Sequence, residues 1–192
     1  MKILLIDNND SFTNNLKHLL VKEIDHAEVT VVSYSKILSC SVKADCEHNK
    51  KSFNLDEFDL IVISPGPGKP QDYPGYDVVI DSGKPILGIC LGMQILNEHF
   101  GGQTSRLTGC FHGRAEDIDF NGLNIAVARY HSLYCNVIGK GLEVVGANSH
   151  GVPMAIVHNQ RPLLAYQFHP ESFLTKQAGV FIGYALNFFR IN

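Results

Sequence analysis

The chain has 192 residues, a formal net charge of −3, 45% hydrophobic residues and 18% charged residues. This length and composition suit one globular domain, 1–192, with a sizeable core. The absence of a basic excess and of a long apolar run argues against nucleic-acid binding and against a membrane span.

The first half of the sequence alternates short aliphatic runs with helical patterns. Each run stops at polar or glycine-rich residues, as buried parallel strands do. This order predicts an α/β fold with a doubly wound, mostly parallel sheet and helices on both faces. The predicted elements are a strand at Lys2–Asp7, a helix from Asp10 or Ser11 to about Lys22, a strand at Glu28–Tyr34, a loop with one helical turn over Ser35–Lys51, a strand at Asp59–Ser64, a short helix at Tyr76–Asp81, a strand at Pro85–Ile89 and a helix at Leu91–Phe100.

The second half has a different pattern, with short strands separated by turn residues. This spacing predicts antiparallel or mixed pairing, and so a smaller antiparallel or mixed sheet beside the parallel one. The predicted strands are Ile125–Tyr130, Leu142–Ala147, Val152–Val157 and Leu163–Phe168, followed by a closing helix at Gln177–Arg190.

The apolar stretch after Lys2 has only four residues, which is too short for the core of a signal peptide. We therefore expect a cytoplasmic protein. The cysteines are odd in number and lack framework spacing, which favours free thiols there. They form no CxxC pair, so we expect no structural zinc. We also expect no other metal and no cofactor. The five cysteines are Cys40, Cys46, Cys90, Cys110 and Cys135.

Cys90 stands between a predicted strand and a predicted helix, with Gly88 and Gly92 two residues to either side. The G-x-S-x-G elbow of hydrolases has this form, and there a sharp turn lifts the nucleophile above the sheet. The helix N-terminus favours a thiolate, and the backbone N–H of Leu91 points where an oxyanion would form. The alternative is a buried structural cysteine, the usual fate of a lone thiol.

A nucleophilic cysteine needs a base, and the chain has nine histidines. His131 in RYHSLY and His169 in YQFHPES each lie at the end of a predicted strand. Glu171 follows two residues after His169 and can fix the tautomer of its imidazole, which indicates a Cys90–His169–Glu171 triad. His99 lies near a helix end, where a cation is mildly favourable. Polar surroundings predict surface positions for His18, His26, His48 and His158.

The segment SPGPG, residues 64–68, follows another predicted strand. Its two prolines stiffen the loop and its two glycines expose their amides. Because the carboxyl ends of parallel strands share one sheet edge, we expect this loop beside Cys90, where it could supply a second oxyanion donor. The alternative is a plain rigid turn. The segment is not a P-loop, because no Gly-Lys-Ser/Thr follows.

Five stretches together resemble the class I (triad) glutamine amidotransferases over nearly the whole chain: IDNNDSFT, SPGPG, GICLGMQ, RYHSL and QFHPES. The resemblance implies a flavodoxin-like fold and an attack by the cysteine on the side-chain amide of L-glutamine. Ammonia would leave, and water would then release glutamate from a thioester. Cys90 would be the nucleophile, His169 the general base and later acid, and Glu171 the residue that orients His169.

The same resemblance implies roles for residues around the nucleophile. The oxyanion would be held by the backbone N–H of the residue that follows the cysteine and by a glycine N–H of the loop at 64–68. The glutamine itself would be held by that loop, by a residue one helical turn after the cysteine, and by the YHSL segment. The implied oxyanion residues are Leu91, Gly66 and Gly68, and the implied glutamine-binding residues are Gly66, Pro67, Gly68, Gln94, Ser132 and Leu133.

SPGPG together with YHSL and HPES most closely resembles the amidotransferase component of the chorismate-using synthases, which make anthranilate or 4-amino-4-deoxychorismate. The implied partner is a chorismate-binding synthase subunit in another chain, because no segment here looks like such a domain. This chain has Asn9 and Asn15 where the family usually has tyrosines, and Met93 where these subfamilies often have histidine. The segment near Asn9 is expected close to the partner.

Three other functions compete with this one. An amidotransferase for another acceptor would carry a different version of the SPGPG and YHSL segments. A free-standing cysteine hydrolase of γ-glutamyl substrates needs no partner, although QFHPES argues against its DJ-1-like form. A catalytically dead binding subunit would not need Cys90, His169 and Glu171 together. The sequence does not separate anthranilate from aminodeoxychorismate synthesis.

Overall fold

The computed structural model describes residues 1–41, 54–107 and 113–191. Its strands are β1 Lys2–Asp7, β2 Glu28–Ser33, β3 Leu60–Ile63, β4 Ile86–Ile89, β5 Gln103–Arg106, β6 Arg114–Phe120, β7 Leu123–Arg129, β8 Leu133–Val137, β9 Leu142–Asn148, β10 Pro153–His158 and β11 Leu163–Tyr166. Its helices are α1 Thr13–Glu23, α2 Tyr34–Ser41, α3 Asp77–Ile80, α4 Leu91–His99 and α5 Ala178–Phe189. None of the described helices is both long and apolar enough to cross a membrane.

Nine of these strands form one mixed sheet in the order β2-β1-β3-β4-β11-β10-β9-β6-β7, and β5 pairs with β8 in a separate antiparallel sheet. The five strands from β2 to β11 are parallel, whereas the pairs from β11 to β7 are antiparallel. The predicted α/β class, with a large sheet and a small antiparallel one, is confirmed. The later strands mostly extend the large sheet, and β11 inserts next to β4 in its centre.

Two hydrophobic clusters cover the two faces of the sheet. Ile3 and Leu5 of β1 belong to the cluster under α1 and α5, whereas Leu4 and Ile6 belong to the cluster under α3 and α4. Successive side chains of a strand point to opposite faces, so a strand covered on both faces reads as a continuous apolar run. This is why β1, β3, β4 and β11 were visible in the sequence as short aliphatic stretches.

Two of the sequence predictions were wrong here. The stretch from Ser35 was expected to be a loop with one helical turn, but its beginning belongs to the eight-residue helix α2, and Ile37 of that helix is buried. The rest of that prediction, from residue 42, lies outside the described residues. Strands β5, β6 and β8 were also missed. β6 is rich in charged residues, and only Ile118 and Phe120 reach the core.

Candidate active site

Cys90 occupies a sharp turn between the end of β4 and the start of α4. Its backbone has φ 53° and ψ −100°, a conformation that L-residues adopt only when the surroundings enforce it. The enforcing contacts are a hydrogen bond from Cys90 N–H to the Tyr166 carbonyl at 2.7 Å, and two bonds that the Cys90 carbonyl accepts from Met93 and Gln94. The strand-to-helix elbow expected from the sequence is therefore present.

Glycine on both sides of Cys90 has a steric reason. A Cβ atom at Gly88 would lie 2.7 Å from the carbonyl carbon of Gly92, and a Cβ atom at Gly92 would lie 2.6 Å from the Ile63 carbonyl oxygen. Both separations are far below van der Waals contact with atoms that cannot rotate away. The two glycines let α4 start directly against β3 and β4, which holds the thiol at the sheet edge.

His169 and Glu171 follow β11, the neighbour of β4 in the sheet. The Nδ1–H of His169 donates to Oε1 of Glu171 at 2.7 Å, and Cys90 lies close enough to raise the pKa of His169. Since Nδ1 is used by Glu171, Nε2 is the nitrogen left for the thiol. The rings of Phe12 and Tyr130 pack against the imidazole, which is buried. The structure brings the three predicted triad residues together in the expected order.

Several charges act on the pKa of His169. Burial lowers this pKa, but the charge and hydrogen bond of Cys90 and those of Glu171 together outweigh burial. The net result is a pKa well above the usual value for histidine, which favours the imidazolium form of His169. Oε2 of Glu171 is buried and has no hydrogen-bond partner among the described residues.

A cavity of about 170 Å³ opens in front of the Cys90 thiol. The loop after β3, the elbow after β4 and the segment before β8 surround it, so every residue predicted to bind glutamine or the oxyanion faces one space. Because Leu91 is the first residue of α4, no preceding helical turn supplies a carbonyl acceptor for its N–H. The cavity is lined by Gly66, Pro67, Gly68, Cys90, Leu91, Gln94, Tyr130, His131, Ser132 and Leu133.

His131 does not have the environment of a general base. Its Nε2 accepts a hydrogen bond from Nε of Arg129 at 3.1 Å, and its Nδ1 lies 2.7 Å from the Leu133 carbonyl oxygen. These partners require the neutral tautomer with hydrogen on Nδ1. Arg129 is itself buried and forms an ion pair with Glu116 at 2.7 Å. His131 thus holds the Leu133 carbonyl in place at the cavity wall.

Sequence reasoning missed one buried residue that touches the thiol. Nε2 of Gln167 donates to the Cys90 sulfur at 3.6 Å, and its Oε1 accepts a hydrogen bond from Gln94 at 3.2 Å. Gln94 also donates to the Leu133 carbonyl oxygen. Gln167 stands two residues before His169 at the end of β11. In an extended chain, residues two apart lie on the same side. The spacing between Gln167 and His169 was therefore the sequence signal that could have identified Gln167 as a neighbour of the thiol.

Two further predictions concern side chains away from the cavity. His158 was expected on the surface, but it is buried, and its Nδ1 accepts backbone N–H bonds from Gln160 and Arg161. Cys135 is a free thiol, as predicted, and it is buried. Burial, Glu98 and Cys90 raise its pKa to about 12. The free-thiol predictions for Cys40, Cys46 and Cys110, and the surface prediction for His48, concern side chains outside the described part of the chain.

Comparison with known proteins gives concordant matches over the whole chain. Residues 4–184 match the family model "Glutamine amidotransferase class-I". Anthranilate synthase component 2 of Helicobacter pylori is 37% identical, with 98% of this chain and 97% of that protein covered. A protein of Azospirillum brasilense named anthranilate synthase is 34% identical over 93% of this chain but only 24% of its own length.

Among solved structures, a putative GMP synthase protein of Thermoplasma acidophilum superposes with a TM-score of 0.79, covering 99% of this chain and 94% of that one. Its sequence identity is 21%, so the likeness concerns the fold alone.

Proposed function

The chain belongs to the class-I glutamine amidotransferases, and from that premise we propose that it is the glutaminase component of a chorismate-using synthase. In this proposal it hydrolyses L-glutamine to glutamate and ammonia, and a chorismate-binding synthase subunit consumes the ammonia. The observation that carries the chemistry is the buried Cys90–His169–Glu171 array at the edge of a cavity. The likeness to proteins named anthranilate synthase component 2 favours anthranilate as the product.

The first half of the reaction forms a thioester. The Cys90 thiolate attacks the side-chain carbonyl carbon of glutamine, and the electrons of the C=O bond move onto oxygen. The N–H groups of Leu91 and of a glycine in the 66–68 loop stabilise this oxyanion. When the tetrahedral species collapses, the imidazolium of His169 gives its proton to the departing nitrogen, and ammonia leaves.

The second half returns the enzyme to its starting state. His169, now neutral, takes a proton from water, whose oxygen attacks the thioester carbonyl. Collapse of the second tetrahedral species releases glutamate and restores the thiolate. Glu171 holds the imidazole by its Nδ1–H throughout and stabilises its positive charge. Gln94 and the Ser132–Leu133 backbone face the cavity where the α-amino and α-carboxylate groups of the substrate would be bound.

The proposed partner explains why such a site should be regulated. Free ammonia at neutral pH is mostly ammonium, which is not nucleophilic, so it should be made only where it passes directly to an acceptor. The segment before α1 lies at the site, because Phe12 packs on His169, while Asn9 and Ser11 are exposed. We place the synthase contact on this segment and near Tyr73. A hundred-fold activation of glutamine hydrolysis by the synthase requires a coupling free energy of only about 2.7 kcal/mol between synthase binding and the active state of the site.

The decisive experiment measures glutamate release by the purified chain alone and with each candidate synthase, with and without chorismate. We expect slow release by the lone chain and strong activation by the anthranilate synthase partner. Activation only by an aminodeoxychorismate synthase would reassign the acceptor. A lone chain as fast as any complex would contradict regulation by a partner and favour a free-standing hydrolase.

The matched variants are Cys90→Ala and Cys135→Ala. Cys90→Ala should lose glutamine-dependent synthesis, while the complex keeps its activity with added ammonium salt, because the synthase uses ammonia from any source. Cys135→Ala removes a buried thiol outside the cavity lining and should keep both activities. A diazo-oxonorleucine probe should label Cys90 and spare Cys135. Glutamate release at a normal rate by Cys90→Ala would refute the assigned nucleophile.

A further inference from the structure

The side-chain amide of Gln94 has one polar atom left for a ligand. Nε2 of Gln94 donates to the Leu133 carbonyl oxygen at 3.3 Å and to Oε1 of Gln167 at 3.2 Å. A backbone carbonyl can only accept, so the atom of Gln94 that faces Leu133 is the nitrogen, and its two hydrogens are both used. Oε1 of Gln94 accepts no hydrogen bond from the described residues, and Gln94 lines the cavity. The cavity wall therefore offers an acceptor at this point.

An acceptor here suits one group of the proposed substrate. Glutamine has two groups that donate hydrogen bonds, the side-chain NH₂ and the α-ammonium group. In the proposed mechanism the side-chain nitrogen departs beside His169, and the α-carboxylate can only accept. The α-ammonium group remains as the donor for Oε1 of Gln94, and its charge makes such a hydrogen bond roughly twice as strong as a neutral one. The direction of this oxygen therefore bears on which amides the site selects.

The direction of the Gln94 amide depends on the Leu133 carbonyl. An amide group is planar, so a bond that holds its nitrogen also holds its oxygen. The Leu133 carbonyl is held in turn by His131, whose Nδ1 lies 2.7 Å from it. That contact is shorter than the one from Gln94 to the same oxygen. The imidazole therefore fixes the carbonyl on which the Gln94 amide is oriented.

His131 can donate from Nδ1 because Arg129 sets its tautomer. The guanidinium group has donors and no acceptor, and Nε of Arg129 lies 3.1 Å from Nε2 of His131. Nε2 must therefore accept, which leaves the ring hydrogen on Nδ1. Arg129 is itself buried, and its Nη1 donates to Glu116 at 2.7 Å, while the other oxygen of Glu116 accepts from Asn148 at 3.1 Å. These polar contacts hold the guanidinium in place behind the cavity wall.

We propose that His131 is a positioning residue for substrate selection, which holds the Leu133 carbonyl so that Oε1 of Gln94 accepts a hydrogen bond from the α-ammonium group of glutamine. This inference rests on the proposed glutaminase function. His131 acts through its neighbours and not on the reacting atoms. The α-ammonium group does not change during the reaction, so the effect should appear in the KM for glutamine and little in kcat.

The test compares His131→Leu with His131→Asn in the complex with the synthase. Leucine removes the donor to Leu133, whereas asparagine keeps an N–H close to the position of Nδ1. Both variants lack Nε2, the acceptor of Arg129, so the donor to Leu133 is what distinguishes them. His131→Leu should raise the KM for glutamine by about ten-fold or more and change kcat by less than about three-fold, because a hydrogen bond to a charged group is lost. His131→Asn should restore most of the affinity.

A second ligand separates substrate selection from general damage to the cavity. Glutaramate is glutamine without the α-amino group, and its Ki is measured against glutamine hydrolysis. In His131→Leu this Ki should stay within about two-fold of the wild-type value, because glutaramate has no ammonium group to lose a contact. A parallel rise of KM and Ki would overturn the inference. An unchanged KM in His131→Leu, or a His131→Asn variant as impaired as His131→Leu, would also overturn it.

A measurement on the unaltered protein needs no folded variant. Nitrogen NMR of the wild-type chain should find the hydrogen of the neutral His131 ring on Nδ1, and a hydrogen on Nε2 would overturn the inference. A wild-type complex that releases no glutamate would overturn the proposed glutaminase function, and this inference with it. An active wild-type complex in which His131→Leu keeps the KM for glutamine would overturn the inference alone.

Discussion

The side-chain amide of Gln167 donates a hydrogen bond to the sulfur of Cys90 at a distance of 3.6 Å. Gln167 is fully buried, and its oxygen is occupied by Gln94, so the amide cannot rotate freely. A donor fixed on a sulfur atom stabilises the thiolate more than the thiol. The Cys90 thiol thus has two polar neighbours, Gln167 and His169, and both belong to the segment that follows β11.

Replacing Gln167 by Glu should slow the alkylation of Cys90 by iodoacetamide at pH 7. The change removes the donor and adds a negative charge beside the sulfur, which disfavours the thiolate. We expect at least a ten-fold loss, which corresponds to about 1.4 kcal/mol. Gln103→Glu, which makes the same change on an exposed position of β5, is the control and should react like the wild type. Equal rates for the two variants would exclude a role of Gln167 at the thiol.

Replacing His169 by Ala should lower kcat for glutamine hydrolysis more than replacing Glu171 by Ala. In the proposed mechanism the imidazole carries out the proton transfers, which are worth about 10²–10⁴-fold, whereas the carboxylate orients it and stabilises its charge. Steady-state glutaminase assays of the two variants in the synthase complex test this order. The reverse order would give Glu171 a role beyond orientation.

The protonation of His169 should depend on Cys90. In the intact protein, NMR titration should find an imidazole that stays protonated above the usual histidine range, because Cys90 and Glu171 outweigh burial. Cys90→Ala removes the strongest of the interactions that raise the pKa, so the midpoint should fall to a lower pH. Cys135→Ala should leave it unchanged. A midpoint below about 6.5 in the intact protein would mean that burial dominates and that the resting pair is neutral.

Adding one methyl group at Gly92 should destabilise the fold. The new Cβ would meet the Ile63 carbonyl oxygen at 2.6 Å, and overpacking of this kind costs about 1–3 kcal/mol of unfolding free energy. Gly183 in α5 is the matched control, because a Cβ there meets no atom within 4 Å. Gly183→Ala should stabilise by about 0.5–1 kcal/mol, since alanine favours a helix over glycine. Chemical denaturation of both variants measures the difference, and equal stabilities would refute the steric account.

Features that depend on local sequence were predictable. The aliphatic runs indicated the central strands. Because the carboxyl ends of parallel strands share one edge of the sheet, the sequence also predicted that Cys90, His169 and the 64–68 loop lie close together. The elbow was visible because its two glycines flank a thiol at a strand end. The family resemblance supplied the residues of the cavity wall.

Features that depend on tertiary contacts were not predictable in the same way. Ser35 lies in a polar stretch, and helix α2 is visible only once Ile37 is seen to pack on the sheet. His158 has polar neighbours in sequence, yet the fold buries its side chain, and its Nδ1 accepts hydrogen bonds from two backbone N–H groups. His131 and His169 both follow predicted strands, and only the nearby Glu171 favoured His169 in the sequence. The structure adds the partner of His131, which is Arg129, whereas His169 meets Glu171.

The central place of β11 has a consequence for how the protein is made. Cys90 leaves the ribosome just after β4, but His169 follows β11, roughly 80 residues later. At about 5–20 residues per second, β4 waits about 4–16 s for its neighbour and meanwhile presents a bare hydrogen-bonding edge. In the proposed mechanism, a partial chain that lacks His169 has no base and should release no ammonia. The nascent sheet, in turn, needs protection from pairing with other chains during that interval.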